Sequence, residues 1–245
     1  MTYCVGMLMK DGFVLAADTR TNAGLDNIAT FKKLHSWSQS GKRVFALATS
    51  GNLATTQAVV SLLGEGTQSL RKRGAVDNLF TAKTMFQAAQ IVGRAIRDVQ
   101  KTDEGELFQS EDTFSASFLF AGQIGSERPR LFQVYPAGNF IEATSDTPFL
   151  QIGEHKYGKP ILDRVSDPGM RLGEAAKLVL LSFDSTIRSN LSVGMPIDLL
   201  VYARDTLKLE RVRRIERDDP YFQKLSGDWG KALRRAFADI QEFDI

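Results

Sequence analysis

Apolar residues open this chain in short runs and continue later as helical stripes. Tyr3–Met9 is an apolar run, Lys10-Asp11-Gly12 interrupts it, and Phe13–Ala17 is a second run ending in Asp18. Two apolar runs around an Asp-Gly turn signal predict a β-hairpin over Tyr3–Met9 and Phe13–Asp18. Gly24–Thr30 reads as a loop. Leu34–Ser38 and Val44–Ser50 predict a second hairpin around Ser40-Gly41-Lys42. Asn52 then stands as a cap for a helix reaching about Arg73, with Leu53, Val59, Val60, Leu62, Leu63 and Leu70 as its apolar positions. Met85, Ala89, Val92, Ile96 and Val99 recur at helical spacing and predict a second helix over about Thr81–Lys101.

The period changes after Glu111. Phe114, Ala116, Phe118 and Phe120 alternate along a strand, and Leu131–Tyr135, Asn139–Ala143 and Pro148–Ile152 continue the strand pattern. Leu172, Ala176, Val179, Leu180, Phe183 and Ile187 mark a third long helix, followed by closing strands over Ile197–Ala203 and Leu207–Arg213. The order of strands, two helices, strands, one long helix and strands argues for an α+β protein. It packs two antiparallel sheets face to face with helices outside. From Asp218 the chain changes character: Trp229, Leu233, Phe237 and Ile240 keep helical spacing with Arg234 and Arg235 between them. This segment, 218–245, reads as a helical extension that docks on its own subunit or contacts a neighbour.

Composition narrows the classes. The chain has 245 residues, 43% of them hydrophobic and 24% charged, an ordinary globular balance. Length alone allows one large domain or two small ones. A net charge of +2, with Lys and Arg spread along the chain, gives no nucleic-acid signature. The basic clusters Arg71-Lys72-Arg73 and Arg211–Arg214 read as solvated faces. One cysteine, Cys4, excludes a disulfide framework and fits a cytoplasmic location; within the first strand it reads as a small core residue. Two histidines, His35 and His155, are too few for a metal cluster, so no metal or cofactor is expected. No run is long enough to cross a membrane, and residues 1–17 lack the form of a signal peptide.

The candidate chemistry begins at Thr2. A methionine before a small residue is usually trimmed, and a threonine then carries its hydroxyl beside a free α-amine. Such a residue can be nucleophile and general base at once. Asp18-Thr19-Arg20 ends the first hairpin, and Lys33 follows Asp18 by fifteen residues. Thr2, Asp18–Asn22, Lys32-Lys33-Leu34 and Ser50-Gly51-Asn52, in that order, resemble the N-terminal-nucleophile hydrolases of the proteasome β-subunit type. Within that type the chain is most similar to the bacterial proteasome-like Anbu family, through Asp18–Gly24, Gly51–Ala58 and Arg188–Gly194. The likeness covers roughly Thr2 to Val212.

The resemblance implies a single proteasome-like domain over 1–245, built as a four-layer αββα sandwich. It implies that Thr2 attacks an amide, that Lys33 lies beside its hydroxyl, and that Asp18 holds Lys33 in place with Arg20 nearby. An α-amine titrates at about 7.7–8.0, and a neighbouring ammonium lowers that value, so the amine is substantially neutral near pH 7. Base assistance of this kind is worth on the order of 10²–10⁴ in rate. The family's oxyanion donor falls at Ala48, and its supporting aspartate and serine fall at Ser189 and Ser192. Thr21, Phe31, Ala46 and Ser50 fall at the specificity pocket, and Asn22 offers its backbone to an extended peptide.

Several positions depart from the family pattern. Ala48 stands for a glycine, Ser189 for an aspartate, and Glu154 or His155 for a serine before Tyr157-Gly158. Three functions therefore stay open: a threonine-type peptidase or amidase; an acyl transferase that hands the acyl group to an amine; and a catalytically silent assembly protein. Retention of Met1 would favour the last. Each implies self-assembly into a ring or open spiral, and any ATPase partner is a separate chain. No phosphate-loop motif and no Gly-x-Ser-x-Gly elbow occurs.

Overall fold

A computed structural model describes residues 2–22, 28–68, 78–103 and 115–244. Met1, residues 24–27, Leu70 with the rest of 69–73, and Phe114 fall outside the described residues. Strands β1 (Tyr3–Met9) and β2 (Gly12–Asp18) form the first hairpin, closing at the Met9–Gly12 pair. Gly12 sits at φ +142, and a side chain there would meet the Tyr202 carbonyl oxygen at 1.9 Å, which explains the glycine after Asp11. A short ribbon of β3 (Arg20–Asn22) and β4 (Ile28–Thr30) follows. Part of the segment expected to be loop thus pairs as strand. Then come β5 (Leu34–Gln39), β6 (Arg43–Gly51), α1 (Leu53–Gln68) and α2 (Met85–Asp103).

The second half contributes β7 (Ala116–Ile124), β8 (Arg130–Val134), β9 (Phe140–Glu142), β10 (Phe149–Gly153), α3 (Lys159–Val165), α4 (Leu172–Ser189), β11 (Ile197–Ala203), β12 (Val212–Ile215) and α5 (Pro220–Ala238). One five-stranded sheet has the order β10-β1-β2-β11-β12, the other β5-β6-β7-β8-β9, and every pairing is antiparallel. The sheets face each other through Phe13, Leu15, Ala46, Ala48, Leu119, Leu131, Leu200 and Tyr202. The outer face of the β6–β8 sheet packs Phe45, Phe118 and Phe120 against Val59, Met85, Val92 and Ile96 of α1 and α2. The outer face of the β1–β2 sheet packs Val5, Met7 and Val14 against Leu178, Val179 and Phe183 of α4. The result is the expected four-layer αββα sandwich. β2 is buried along its whole length because it lies centrally in one sheet with a layer on each face.

Three boundaries differ from the sequence reading, each for a local reason. Helix α2 begins later than Thr81 because Asn78 uses its carboxamide on the Phe80 and Thr81 N–H groups, and Thr84 then caps the helix through Gln87 N–H (3.1 Å). The last strand is Val212–Ile215 instead of Leu207–Arg213. Asp205 and Leu207 take positive φ (64° and 48°), and Leu209 packs on the inter-sheet core from a loop. Helix α3 was missed because its seven residues contribute a single buried side chain, Leu162, too little for a periodic signal. In α5, Phe222 is buried and Leu225 packs on the α4 side, whereas Leu233, Phe237 and Ile240 are exposed. Among the described residues no helix is long and apolar enough to cross a membrane.

His35 on β5 yields a stability prediction. Burial, assisted by the Lys32 charge, lowers its pKa to about 4, below the unfolded value of about 6.5. The neutral ring is therefore favoured by folding. Its contribution is present above about pH 6.5 and is lost as pH falls toward 4, by at most about 1–3 kcal/mol after allowing for partial exposure. Urea denaturation of wild type should weaken across this window, and His35→Gln should flatten the dependence; an equal slope in both proteins would assign the loss elsewhere.

Candidate active site

The site forms where the ends of β1, β2, β6 and β10 meet. Register brings Tyr3 of β1 opposite Gly153 of β10, and the Glu154 N–H donates to the Thr2 carbonyl oxygen at 2.7 Å. On the other side of β1, the Tyr3 N–H donates to Asp18 Oδ1 at 3.1 Å. Lys33 Nζ donates to the same oxygen at 2.9 Å and to the Arg20 carbonyl at 2.5 Å. The Gly194 N–H donates to Asp18 Oδ2 at 3.2 Å. Asp18 is fully buried and Lys33 is 4% exposed. Burial pushes the Asp18 carboxyl up from its ordinary range, while the Lys33 ammonium and the Tyr3 and Gly194 N–H groups pull it down.

A cleft of about 520 Å³ opens over this cluster. It is lined by Thr2, Thr21, Lys33, Thr49, Ser50, Gly51, Leu53, Thr56, Gly153 and Glu154. Thr2, at 8% exposure, therefore shares one cavity with Lys33. Gly51 ends β6 at φ +113, where an added Cβ would lie 2.3 Å from the Ser115 carbonyl oxygen. Along β6, the Thr49 N–H goes to Lys33 O (3.0 Å) and the Asn52 N–H to Ser115 O (2.9 Å). That alternation assigns the Gly51 N–H to the Lys33 side of β6, beyond the start of β5, and Gly51 itself lines the cleft. Asn52 Oδ1 accepts from Thr55 N–H at 3.1 Å, which caps α1 and aims its N-terminus at the same rim.

A surrounding shell ties the 190–194 loop to both sides. Arg20 Nη1 donates to the Leu191 carbonyl at 2.8 Å, Asn190 Nδ2 to Glu154 Oε2 at 2.6 Å, and Ser192 N–H to Asn190 Oδ1 at 2.8 Å. Burial next to Asp18 pushes the Cys4 thiol up, so the one cysteine is a core residue and no nucleophile. A larger cleft, about 640 Å³, lies by β10 and α3; its Lys159 ammonium is bound to Asp163 at 2.7 Å, and nothing lining it pairs a nucleophile with a base. Among the described residues no group of three or more His, Cys, Asp and Glu gathers to hold a metal.

The sequence profile of the proteasome subunit family matches residues 2–202. The chain belongs to the proteasome subunit family. Solved neighbours identify its branch. The structure of an Anbu Gly-1 mutant from Hyphomicrobium sp. strain MC1 shares 60% identity over 100% of both chains, with a TM-score of 0.92. Anbu from Yersinia bercovieri shares 44% over 100% of this chain and 99% of that one, TM-score 0.93. A structure described as the helical assembly of the Anbu complex from Pseudomonas aeruginosa shares 46% over 99% and 98%, TM-score 0.91. Proteasome subunit beta 2 of Pyrobaculum neutrophilum is 28% identical over 216 residues, 85% of this chain and 92% of that protein.

Against this proteasome-type fold the sequence-named residues separate. Thr2, Asp18, Lys33 and Arg20 converge, and Thr21 and Ser50 line the cleft. Ala46 and Ala48 are fully buried between the sheets and do not line it. Phe31 is 36% exposed and also lies off the cleft lining. Asn22 pairs with Ile28 in the β3–β4 ribbon. Ser189 is exposed at the end of α4, and Ser192 takes part through its backbone alone among the contacts seen here. Sequence reasoning missed Gly51 and Gly153 as site residues, and it named Glu154 only as a replacement. The sequence signal was a glycine at the end of a strand pattern immediately before a polar residue, and the structure gives both glycines a positive φ.

Gly153 supplies the test. At φ +79, an added Cβ would sit 2.0 Å from the Thr2 carbonyl oxygen. Gly153→Ala should cost more than about 1 kcal/mol in urea denaturation, and it should displace Thr2 from the cleft in a crystal structure. Unchanged stability would show that the close approach of β10 to Thr2 is not required.

Proposed function

We propose that this chain is a threonine-type N-terminal-nucleophile peptidase or amidase subunit, with Thr2 as nucleophile once Met1 has been removed. The observation that carries this reading is the meeting of Lys33, Asp18 and the start of β1 beside a cleft that Thr2 lines. The Thr2 hydroxyl oxygen attacks the amide carbonyl carbon while its proton passes to the Thr2 α-amine, directly or through one water. Lys33 stabilises the developing alkoxide, and Asp18 with the Arg20 carbonyl fixes the direction of its ammonium. The Gly51 N–H and the α1 N-terminus stabilise the oxyanion; one such donor is typically worth about 2.7–4 kcal/mol. The α-ammonium then protonates the leaving amine, an ester to Thr2 remains, and water assisted by the amine hydrolyses it. Thr21, Ser50 and Leu53 form the wall against which the substrate chain lies. The likeness to helically assembled Anbu, with the exposed apolar end of α5, supports self-assembly of this chain too.

A threonine-directed covalent probe, read by intact mass, tests the nucleophile. Wild type should lose Met1 and gain one probe mass, and Thr2→Ala should gain none. Equal labelling of the two proteins would remove Thr2 from this role. Lys33→Ala tests its neighbour: it should keep the circular-dichroism spectrum and label at least about 10²-fold more slowly. An unchanged labelling rate would reduce Lys33 to a structural ion-pair partner.

A further inference from the structure

Among the described residues, the charged ones lining the cleft are Lys33 and Glu154. They stand in different states. The Lys33 ammonium is bound by Asp18 Oδ1 and by the Arg20 carbonyl, and both Asp18 oxygens are engaged. Glu154 is 8% exposed, and its backbone N–H already holds the Thr2 carbonyl. Its Oε2 accepts a short bond from Asn190 Nδ2, at 2.6 Å. Among the described residues its Oε1 meets the Lys156 ammonium alone, at 3.6 Å, and that side chain is 68% exposed. Such a long, solvated pair contributes little, so Oε1 keeps acceptor capacity on a nearly buried carboxylate at the Thr2 end of the cleft. The Asn190 bond in turn fixes the carboxylate to the same 190–194 loop that grips Asp18 through Gly194.

We propose that Glu154 is a positioning residue whose carboxylate holds the α-ammonium of Thr2 and sets the pH at which the amine becomes available as base. This deepens the threonine-nucleophile reading and rests on it. The amine then lies between opposed charges. Lys33 favours the neutral amine, and Glu154 favours the ammonium. Among the described residues, the other charged or titratable groups around this end are Asp18 on β2, which is bound to Lys33; Arg20 on β3, whose guanidinium reaches the Leu191 carbonyl; Lys156; His155, whose Nδ1 lies 3.1 Å from the Gly153 carbonyl; and, on β1, the buried Cys4 thiol and the Tyr3 phenol, which donates to Ser182. A carboxylate in this place raises the pH at which the amine sheds its proton and the chain becomes fast to engage an amide. The neutral serine that the family resemblance implies would leave that midpoint lower.

The rate of covalent probe addition to Thr2, followed by intact mass from pH 5.5 to 9.5, reads the midpoint directly. Glu154→Gln preserves shape and removes the charge, and it should lower the midpoint by roughly one pH unit. Lys156→Glu adds a like charge at an exposed position and should raise the midpoint; it decides the matter if the Gln variant fails to fold. His155→Gln should leave the midpoint in place. A midpoint unmoved by both Glu154→Gln and Lys156→Glu would overturn the proposal, as would one abolished by His155→Gln. A uniform loss of rate at every pH in Glu154→Gln, without a shift, would also overturn it by showing a merely structural carboxylate. Absence of labelling in wild type would instead defeat the Thr2 reading itself.

Discussion

Asp18 and Lys33 form a buried ion pair on which the arrangement of this end of the molecule depends. Charges taken out of water cost several kcal/mol each unless fixed partners replace the solvent. Here the partners come from separate parts of the chain: the Tyr3 N–H from β1, the Gly194 N–H from the loop after α4, and the Arg20 carbonyl from β3. Removing any of these segments leaves a buried charge short of a hydrogen bond. The pair thus forces the first strand, the β3 ribbon and the 190–194 loop to one point. As net stabilisation such a pair is weak, because its desolvation cost offsets most of the attraction. Its value is directional: it holds an ammonium at a fixed place beside Thr2.

Backbone approach completes what the ion pair begins. Gly51 and Gly153 end strands of opposite sheets at positive φ, and both line the cleft. Any Cβ at Gly153 would collide with the Thr2 carbonyl, and one at Gly51 with the Ser115 carbonyl. Absent side chains let β10 close on the start of β1 and β6 on the entry to β7. The capped N-terminus of α1 adds positive potential at the same rim. The outer shell is distinctive. Asn190 joins Glu154, and Arg20 reaches over to Leu191. In this chain a buried lysine–aspartate pair is thus surrounded by a shell that includes the Glu154 carboxylate.

Much of the fold was legible in the sequence because it follows from local periodicity. The Asp11-Gly12 turn, the alternation through Phe118 and Phe120, and the helical stripe from Leu172 to Ile187 report burial on faces, and burial is what drives these elements to form. Legibility failed where burial is sparse or where side chains outcompete the backbone. Helix α3 buries only Leu162, Asn78 and Thr84 delay the start of α2, and Leu207 and Leu209 look like strand residues but serve a loop packed on the core.

The chain by itself determined the order of strands and helices and the hairpin that carries Asp18, because residue type and spacing along one strand or turn express these; the four layers and the candidacy of Thr2, Asp18 and Lys33 came with the family resemblance that its motifs carry. Only the tertiary structure decided that Ala48 lies between the sheets while Gly51 lines the same cleft as Thr2, and that Glu154 shares a cavity with Lys33. Those relations depend on register between strands far apart in sequence, such as Tyr3 with Gly153. A shift of one residue turns a side chain to the opposite face, and no local pattern records which register the packed sheets adopt.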